Sequence, residues 1–149
     1  MEIHTVGYAG TSVDQFLAAL TGHEVERLID IRELPISRKR GFAKAALRDR
    51  LGAEGIAYEH FRILGSPKPV RDRFRKTKND AAFFAAMDRH LENAEALDAI
   101  ASVIELAERS TCCLMCYCPN WEQCHRRAVV DAIAKRVALT AHHIVLGGE

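Results

Sequence analysis

Thiol, imidazole and guanidinium groups are concentrated in one short segment, residues 116–127, which reads CYCPNWEQCHRR. A thiolate can serve as a nucleophile, a redox group or a metal ligand, and an imidazole exchanges protons near neutral pH. Cys118 and Cys124 are therefore candidate catalytic thiols, and His125 is a candidate general acid or base. Arg126 is a candidate ligand-binding residue, because guanidinium groups pair with anions.

The residues on either side of this segment predict the elements that position it. The apolar run over residues 111–115 is typical of a strand, and the spacing of Val129, Val130, Ile133 and Val137 is typical of a helix. The segment thus lies where a strand ends and a helix begins, which is the usual ligand crevice of an open α/β sheet. The helix dipole and the adjacent arginines would lower the pKa of a nearby thiol.

Two other predicted strands also end in polar side chains. Asp30 and Arg32 lie at the end of the second strand, and Tyr58 and His60 lie at the end of the third. Because parallel strands bring their carboxyl ends to one edge, these residues are expected to lie near the cysteine motif. Asp30 and His60 are candidate catalytic groups, and Tyr58 is a candidate ligand-binding residue.

Arginines from separate segments are expected to meet at the same edge. Arg32, Arg38 and Arg126 would form a bidentate cradle for a phosphate or carboxylate beside the helix N-terminus. Ser37, next to Arg38 in the same basic loop, is a further ligand-binding candidate. An alternative interpretation makes Asp30 and Arg32 an internal ion pair that fixes the loop, and both interpretations stay open on the sequence alone.

Zinc is the metal that this donor set would suit. Cys116, Cys118, Cys124 and His125 match tetrahedral zinc in number, but the usual C-x2-C spacing is absent and the two adjacent ligands would have to point apart. A second alternative is that these residues are packed thiols with a helix-capping imidazole. Neither alternative is removed by the sequence.

The length and the ends of the chain indicate the class of protein. The 149 residues are enough for a single α/β domain, spanning residues 1–149, with its own core. No charged leader with an apolar segment opens the chain, and no apolar run reaches membrane length. A cytoplasmic protein without membrane association is therefore expected, with its five cysteines reduced.

The near-neutral total charge of +1 hides an uneven distribution. Residues 32–78 contain fourteen Lys and Arg against five Asp and Glu, which is a charge of +9, and the remaining residues carry −8. This asymmetry favours a phosphate-bearing small molecule or a nucleic acid as partner. The alternative is a solvated surface that faces acidic helices of the same or a neighbouring molecule.

Alternating apolar patterns predict an α/β fold with a mostly parallel sheet of about five strands and helices on both faces. A mobile loop is expected over residues 65–79, where two prolines accompany several basic residues. His4, His23 and His90 lie in no motif and are expected to fill the core or the surface. The strands are predicted at residues 2–7, 25–31, 56–61, 111–115 and 139–146.

Six short segments form a set that extends over nearly the whole chain. They are Thr5-Val6-Gly7-Tyr8, Leu28 to Arg32, Gly55 to Tyr58, Leu114 to Cys116, Cys124-His125-Arg126 and His143-Ile144. Together these segments resemble the bacterial and archaeal family catalogued as domain of unknown function 488. The resemblance implies a compact α/β fold and favours a ligand site at the sheet edge, and it supplies no reaction.

Two positions depart from that family's usual pattern. An acid is usual two residues after Cys116, where this chain has Cys118, and a proline is usual where it has Trp121. A role that depends on the acid is therefore not carried over. A looser similarity is to rhodanese and related phosphatase domains, although the arginine expected six residues after Cys118 is replaced by Cys124.

These observations lead to two hypotheses about function. The first is an enzyme that binds a phosphate-bearing ligand, a nucleotide or nucleic acid, and uses Cys118 or Cys124 as nucleophile or redox thiol. His60 or His125 would then transfer protons. The alternative is a non-enzymatic nucleic-acid-binding or regulatory module with structural or metal-bound cysteines.

Overall fold

The computed structural model describes residues 1–146. Single turns of 3₁₀-helix lie at Arg62–Leu64 and Trp121–Gln123. Within the described part of the chain, no helix is both long and apolar enough to cross a membrane. The strands are β1 (Glu2–Gly7), β2 (Arg27–Asp30), β3 (Ala57–His60), β4 (Cys112–Cys116) and β5 (Thr140–Ile144). The α-helices are α1 (Val13–Gly22), α2 (Lys44–Ala53), α3 (Lys68–Thr77), α4 (Asp80–His90), α5 (Ala94–Arg109) and α6 (His125–Ala134).

Across residues 1–146, five parallel strands form one sheet in the order β3-β2-β4-β1-β5. The register pairs Asp30 with both His60 and Met115, and it pairs Gly7 with Cys116. Strands β1 to β4 therefore end at one edge of the sheet. The predicted α/β fold with a parallel sheet of about five strands is confirmed.

Helices cover both faces of this sheet. Helices α1 and α2 pack on the face that carries Val6, Leu28 and Met115, and α3 to α6 contribute to the core on the face that carries Ile29 and Leu114. Strand β4 is buried along its whole length, because helices lie on both sides of a central parallel strand.

Two neighbouring strands send the chain to opposite faces of the sheet at this edge. The chain leaves β2 for α2 on one face, and it leaves the adjacent β4 for α6 on the other. Open α/β sheets bind ligands at such a point of divergence. The predicted cysteine motif and the Asp30–Arg32 segment both lie at this edge.

The prediction of a mobile loop over residues 65–79 is wrong, because helix α3 occupies most of that range. Pro69 lies in the first turn, where a missing N–H costs no helical hydrogen bond. Val70 and Phe74, one turn apart, join the apolar packing, and the Phe74 ring lies 5.3 Å from that of Phe83 on α4. The segment is an amphipathic helix despite its proline-rich composition, and its apolar face packs on α4.

Candidate functional site

The structure brings residues from the ends of β2, β3 and β4 together at this edge. His125 Nε2 lies 2.8 Å from the carbonyl oxygen of Ile31, and His60 Nε2 lies 2.7 Å from that of Arg32. Arg126 donates to the carbonyl oxygen of Cys118 at 2.8 Å. The His125 hydrogen bond thus joins the cysteine motif to the segment that follows β2, and the Arg126 bond holds the motif itself together.

Two buried thiols lie at the centre of the site. Cys116 is the last residue of β4, Cys124 is the N-cap of α6, and their sulfur atoms are 2.7 Å apart. Each residue is only 1 % exposed. The Cys124 sulfur also accepts a hydrogen bond of 3.5 Å from the backbone N–H of Arg126, as an N-cap side chain does. A thiol therefore occupies the position at which a helix best stabilises negative charge.

The two thiols differ in pKa direction. Burial alone would raise the pKa of Cys124, but hydrogen bonds from Cys116 and Cys118, together with the N–H and charge of Arg126, hold it well below its usual range. Burial, followed by hydrogen bonds with the neighbouring thiols, raises the pKa of Cys116 well above its usual range. Cys124 is therefore the member of the pair that ionises more readily and accepts, and Cys116 is the member that donates.

Cys118 is the third thiol of this group and is only partly buried. A hydrogen bond with Cys116 lowers the pKa of Cys118, but the hydrogen bond to Cys124, burial and the Cys124 charge together raise it. Cys118 thus behaves as a protonated donor in this arrangement. Among the three thiols, it is the one nearest to solvent.

Arg126 supplies the positive charge of the site. This residue is 1 % exposed, and its guanidinium donates to Thr5 Oγ1 at 3.1 Å and to the Cys118 carbonyl oxygen at 2.8 Å. Within residues 1–146 it forms no salt bridge to a carboxylate, and its Nε has no hydrogen-bond partner. A buried cation is costly unless an anion compensates it, and the readily ionised thiol of Cys124 is the neighbouring group suited to carry that charge.

His125 is oriented by a backbone carbonyl. Because the Ile31 oxygen can only accept, His125 Nε2 carries the proton and Nδ1 is left as a lone pair. That Nδ1 lies 3.6 Å from Cys124 Sγ. Burial lowers the pKa of His125, so its ring is neutral at pH 7 and can take a proton from a thiol.

Asp30 and Arg32 form a buried, two-pronged ion pair. Arg32 Nε donates to Asp30 Oδ1 at 2.9 Å and Nη2 donates to Oδ2 at 2.7 Å, while Nη1 donates to the Phe42 carbonyl oxygen at 2.7 Å. Tyr58 adds a hydrogen bond of 2.6 Å to Asp30 Oδ2, and burial followed by this bond raises the Tyr58 pKa. This geometry corresponds to the internal ion pair that fixes the basic loop.

The expected arginine cradle is not assembled in this conformation. Arg32 directs its donors to Asp30 and the loop backbone, and Arg126 directs its own to Thr5 and the Cys118 backbone. Arg38 lies exposed on the loop before α2. The physical reason is that a buried guanidinium with no bound anion donates to the nearest acceptors inside the protein.

Ser37 and His60, two other candidate site residues, each form a hydrogen bond with a backbone group. Ser37 Oγ accepts a hydrogen bond of 3.1 Å from the backbone N–H of Lys39, which shapes the basic loop. His60 donates to the Arg32 carbonyl oxygen and so helps to hold the end of β2. Both contacts position backbone segments beside the thiols.

Metal-ligating atoms of three residues lie close together. Donor atoms of Cys116, Cys124 and His125 all fall within 4.8 Å of one another. Two thiolates bound to one tetrahedral zinc are about 3.8 Å apart, given zinc–sulfur bonds of about 2.3 Å. The observed sulfur–sulfur distance of 2.7 Å is shorter. The donor set fits zinc in type, and the two sulfur atoms would have to move apart by about 1 Å to bind it.

Gly7 is a site residue that a search for reactive side chains does not identify. A Cβ at this position would lie 1.7 Å from the carbonyl oxygen of Cys118 and 3.1 Å from Arg126 Nη2. Only glycine lets the loop after β4 cross the end of β1 at this distance. The segment Thr5-Val6-Gly7-Tyr8, which the family resemblance includes, was the available signal.

A second missed group links β5 to the site. His143 Nδ1 lies 2.6 Å from Thr5 Oγ1, the same hydroxyl oxygen that accepts from Arg126. The Trp121 ring stacks on His143 at 3.8 Å with an interplanar angle of 3°. His143 is far from the motif in sequence, and only the pairing of β5 with β1 brings it there.

Comparison with known protein families gives one match. The family described as "Domain of unknown function DUF488" matches residues 12–133, which include the ends of β2 and β4 and the start of α6. Comparisons with curated proteins and with solved structures give no significant match. The resemblance inferred from the sequence segments is confirmed.

Proposed function

Because the chain belongs to the DUF488 family, whose description names no reaction, we propose from the site itself that this protein is a thiol-dependent enzyme with Cys124 as nucleophile. One observation carries the proposal. The Cys124 sulfur, at the N-terminus of α6, is a buried hydrogen-bond acceptor beside a cation that has no carboxylate partner among the described residues. Such an environment is typical of an activated thiolate.

Each neighbour of Cys124 has a separate part in this proposal. Cys116 donates a hydrogen bond and Arg126 supplies positive charge, so both stabilise the thiolate. Because Cys124 is already ionised while the His125 ring is neutral, the free Nδ1 of His125 takes a proton from the water molecule that attacks the covalent intermediate on Cys124 and releases the product. The Ile31 carbonyl oxygen fixes the orientation of the imidazole, as the third member of a nucleophile–base arrangement does.

The proposed substrate is a phosphate-bearing molecule, a nucleotide or a nucleic acid. The charge of +9 over residues 32–78 and the N-terminus of α6 both favour an anion. Cys124 is 1 % exposed, so the substrate reaches it only when the segment after β4 moves aside. Cys118 is the least buried thiol of the group, so the proposed substrate approaches from its side.

Ultraviolet absorbance of the thiolate tests the nucleophile without requiring access to it. We expect one thiol to ionise well below the ordinary cysteine pKa of about 8.5 and to disappear from the titration in Cys124→Ser. Serine preserves the N-cap, so the variant should fold. Cys112→Ser is the matched control, since burial raises the pKa of Cys112. A wild-type titration with no thiolate below about pH 8 overturns the proposal.

A screen of nucleotides and phosphoesters tests the substrate class. Turnover of any of them should be lost in Cys124→Ser and retained in Cys112→Ser. Turnover that survives in Cys124→Ser would assign the activity to another group. A low-pKa thiolate without turnover of phosphate-bearing compounds would keep the nucleophile and reject the substrate class.

The second candidate function is polyanion binding, which the exposed basic face of α3 favours. Arg73 and Lys76 are exposed and have no acidic partner within residues 1–146, unlike Arg71, which pairs with Glu33 at 2.7 Å. The double variant Arg73→Gln/Lys76→Gln should therefore weaken RNA binding at low salt without loss of stability. An equal loss in a control double variant, Arg109→Gln/Lys135→Gln, would exclude α3 as the binding face.

A further inference from the structure

The facing thiols of Cys116 and Cys124 are placed for a reaction that the proposed catalysis does not include. Their sulfur atoms are in direct contact, 2.7 Å apart. A disulfide bond measures about 2.05 Å, so the two sulfurs need to approach by only about 0.7 Å to form one. Cys116 ends β4 and Cys124 is the N-cap of α6, so two regular elements hold the side chains face to face.

The surroundings of the pair favour a small oxidant and a thiol partner inside the protein. Each residue is 1 % exposed, so a bulky reagent cannot approach, and a small molecule needs a smaller opening than the proposed substrate does. The backbone N–H of Arg126 donates to the Cys124 sulfur, which favours the ionised form that hydroperoxides attack. An oxidised Cys124 would then meet the Cys116 thiol before any thiol from solution.

We propose that Cys116 and Cys124 form a reversible disulfide when a hydroperoxide oxidises the site. The consequence rests on the proposed function, because the oxidised protein lacks the nucleophile that this function requires. Oxidation would therefore stop the proposed activity, and reduction by a thiol would restore it. Early capture of Cys124 in a disulfide also prevents its irreversible oxidation to the sulfinic or sulfonic acid.

The chemistry proceeds in two steps. The Cys124 thiolate attacks one peroxide oxygen, so that an S–O bond forms, the O–O bond breaks, and hydroxide leaves and takes the Cys116 proton to become water. The Cys116 sulfur then attacks the sulfenic sulfur of Cys124. The S–S bond forms, the S–O bond breaks, and the departing hydroxide takes a proton from solvent. The two thiol groups together lose two electrons, and the peroxide gains them.

Mass spectrometry of the full wild-type chain tests this pairing. The protein is first treated with a chelator, so that no bound metal protects the thiols, and then with hydrogen peroxide. We expect the loss of two hydrogen atoms from the intact mass and of two of the five thiols, both reversed by dithiothreitol. Chymotrypsin cleaves after Tyr117 and Trp121, which separates Cys116, Cys118 and Cys124 into different peptides. A peptide pair that joins Cys116 to Cys124 is the expected product.

The wild-type map decides the proposal before any variant is made. A Cys118–Cys124 disulfide, or oxidised acids of Cys124 without a disulfide, would overturn it. Cys116→Ser should accumulate these acids, and Cys112→Ser should form the disulfide as the wild type does. A normal thiolate titration without the disulfide rejects this proposal and keeps the nucleophile. The disulfide in a protein that has no low-pKa thiolate keeps the pair and rejects the proposed function.

Discussion

Arg126 shows how one buried charge organises its surroundings. Its guanidinium is almost fully removed from water, holds the backbone of the thiol loop through Cys118 and contacts Thr5. Within residues 1–146 it lacks a carboxylate partner, so the readily ionised thiol of Cys124 is the group suited to compensate its charge. Arg32 differs, because Asp30 already neutralises it. At the residue scale, the partner of each arginine indicates its role. Arg32 belongs to a structural ion pair, and Arg126 is a cation placed to stabilise an ionised Cys124.

The single tryptophan of the chain provides a probe of this network. Trp121 stacks on His143, and a protonated imidazole quenches indole fluorescence. Burial, followed by the charge of Arg126, lowers the pKa of His143. We therefore expect emission to fall with decreasing pH, with a midpoint below about 6.5. His143→Gln should remove the transition and His90→Gln should keep it. A midpoint above that value would contradict the expected effect of Arg126.

Tyr58 tests the strength of the ion-pair cluster. Tyr58→Phe removes a hydrogen bond of 2.6 Å to the buried Asp30 carboxylate and should lower the free energy of unfolding by about 1.5 to 3 kcal/mol. Tyr117→Phe is the control, because Tyr117 is 58 % exposed, and its effect should stay within about 0.5 kcal/mol. Urea denaturation measures both variants, and equal losses would mean that the Tyr58 hydroxyl contributes little.

At the scale of elements, close approach of backbone segments holds the site together. The loop after β4 crosses the end of β1 at Gly7, and the 3₁₀ turn after β3 approaches β2 where a Cβ on Gly65 would lie 2.2 Å from Glu33 N. Arg71 of α3 adds an ion pair of 2.7 Å to Glu33. Helix α3 thus secures the segment that follows Arg32, in addition to presenting basic side chains.

Gly7→Ala should disturb the thiol site as well as the fold. The new Cβ would overlap the Cys118 carbonyl oxygen, so we expect a loss of about 1 to 3 kcal/mol or more in the free energy of unfolding. Ionisation of the low-pKa thiol should also shift, since Arg126 loses its contact with Cys118. Gly22→Ala is the control, because its Cβ meets nothing within 4 Å. A normal thiolate titration in a folded Gly7→Ala protein would mean that this crossing does not position the loop.

At the scale of the whole molecule, two clusters of titratable side chains lie far apart on one sheet. The thiols lie at the carboxyl ends of the strands, where the connections diverge to opposite faces of the sheet. The imidazoles of His4, His23 and His142 lie on one face towards the amino ends, where β1 and β5 pair. The two clusters share no residue.

The buried thiols predict how stability depends on pH. Burial raises the pKa of Cys112 and Cys113, and burial with thiol hydrogen bonds raises that of Cys116. Above about pH 8.5 these groups ionise in the unfolded chain but not in the folded one, so the folded state holds more protons and stability falls. Cys124 acts oppositely: its lowered pKa adds stability above the ordinary cysteine pKa, and this stability is lost as pH falls through the folded value.

Urea denaturation between about pH 7.5 and 9.5 measures this dependence. Each buried thiol should contribute a loss of up to about 1.4 kcal/mol per pH unit above its unfolded pKa. Cys113→Ala should therefore give a flatter decline than the wild type. A decline of equal slope in both proteins would show that Cys113 ionises in the folded state.

Local patterns in the sequence determined the class of fold and the place of the cysteine motif. Apolar runs between helical repeats are sufficient for a parallel α/β sheet, and the ends of parallel strands must share an edge. The sequence alone therefore places the cysteine motif and the Asp30–Arg32 segment at one edge of the sheet. It does not predict helix α3, because the proline-rich composition of that segment is typical of a loop and the stability of the helix depends on packing against α4.

Only the tertiary structure decided which groups become partners. Burial made Asp30 the partner of Arg32, a pairing that the sequence left open beside a ligand-binding role, and it left Arg126 next to the readily ionised thiol of Cys124. The pairing of His4 with His142 depends on the register between β1 and β5, strands that lie at opposite ends of the chain. Such contacts cannot be derived from local patterns, because they depend on desolvation and on the packing of distant segments.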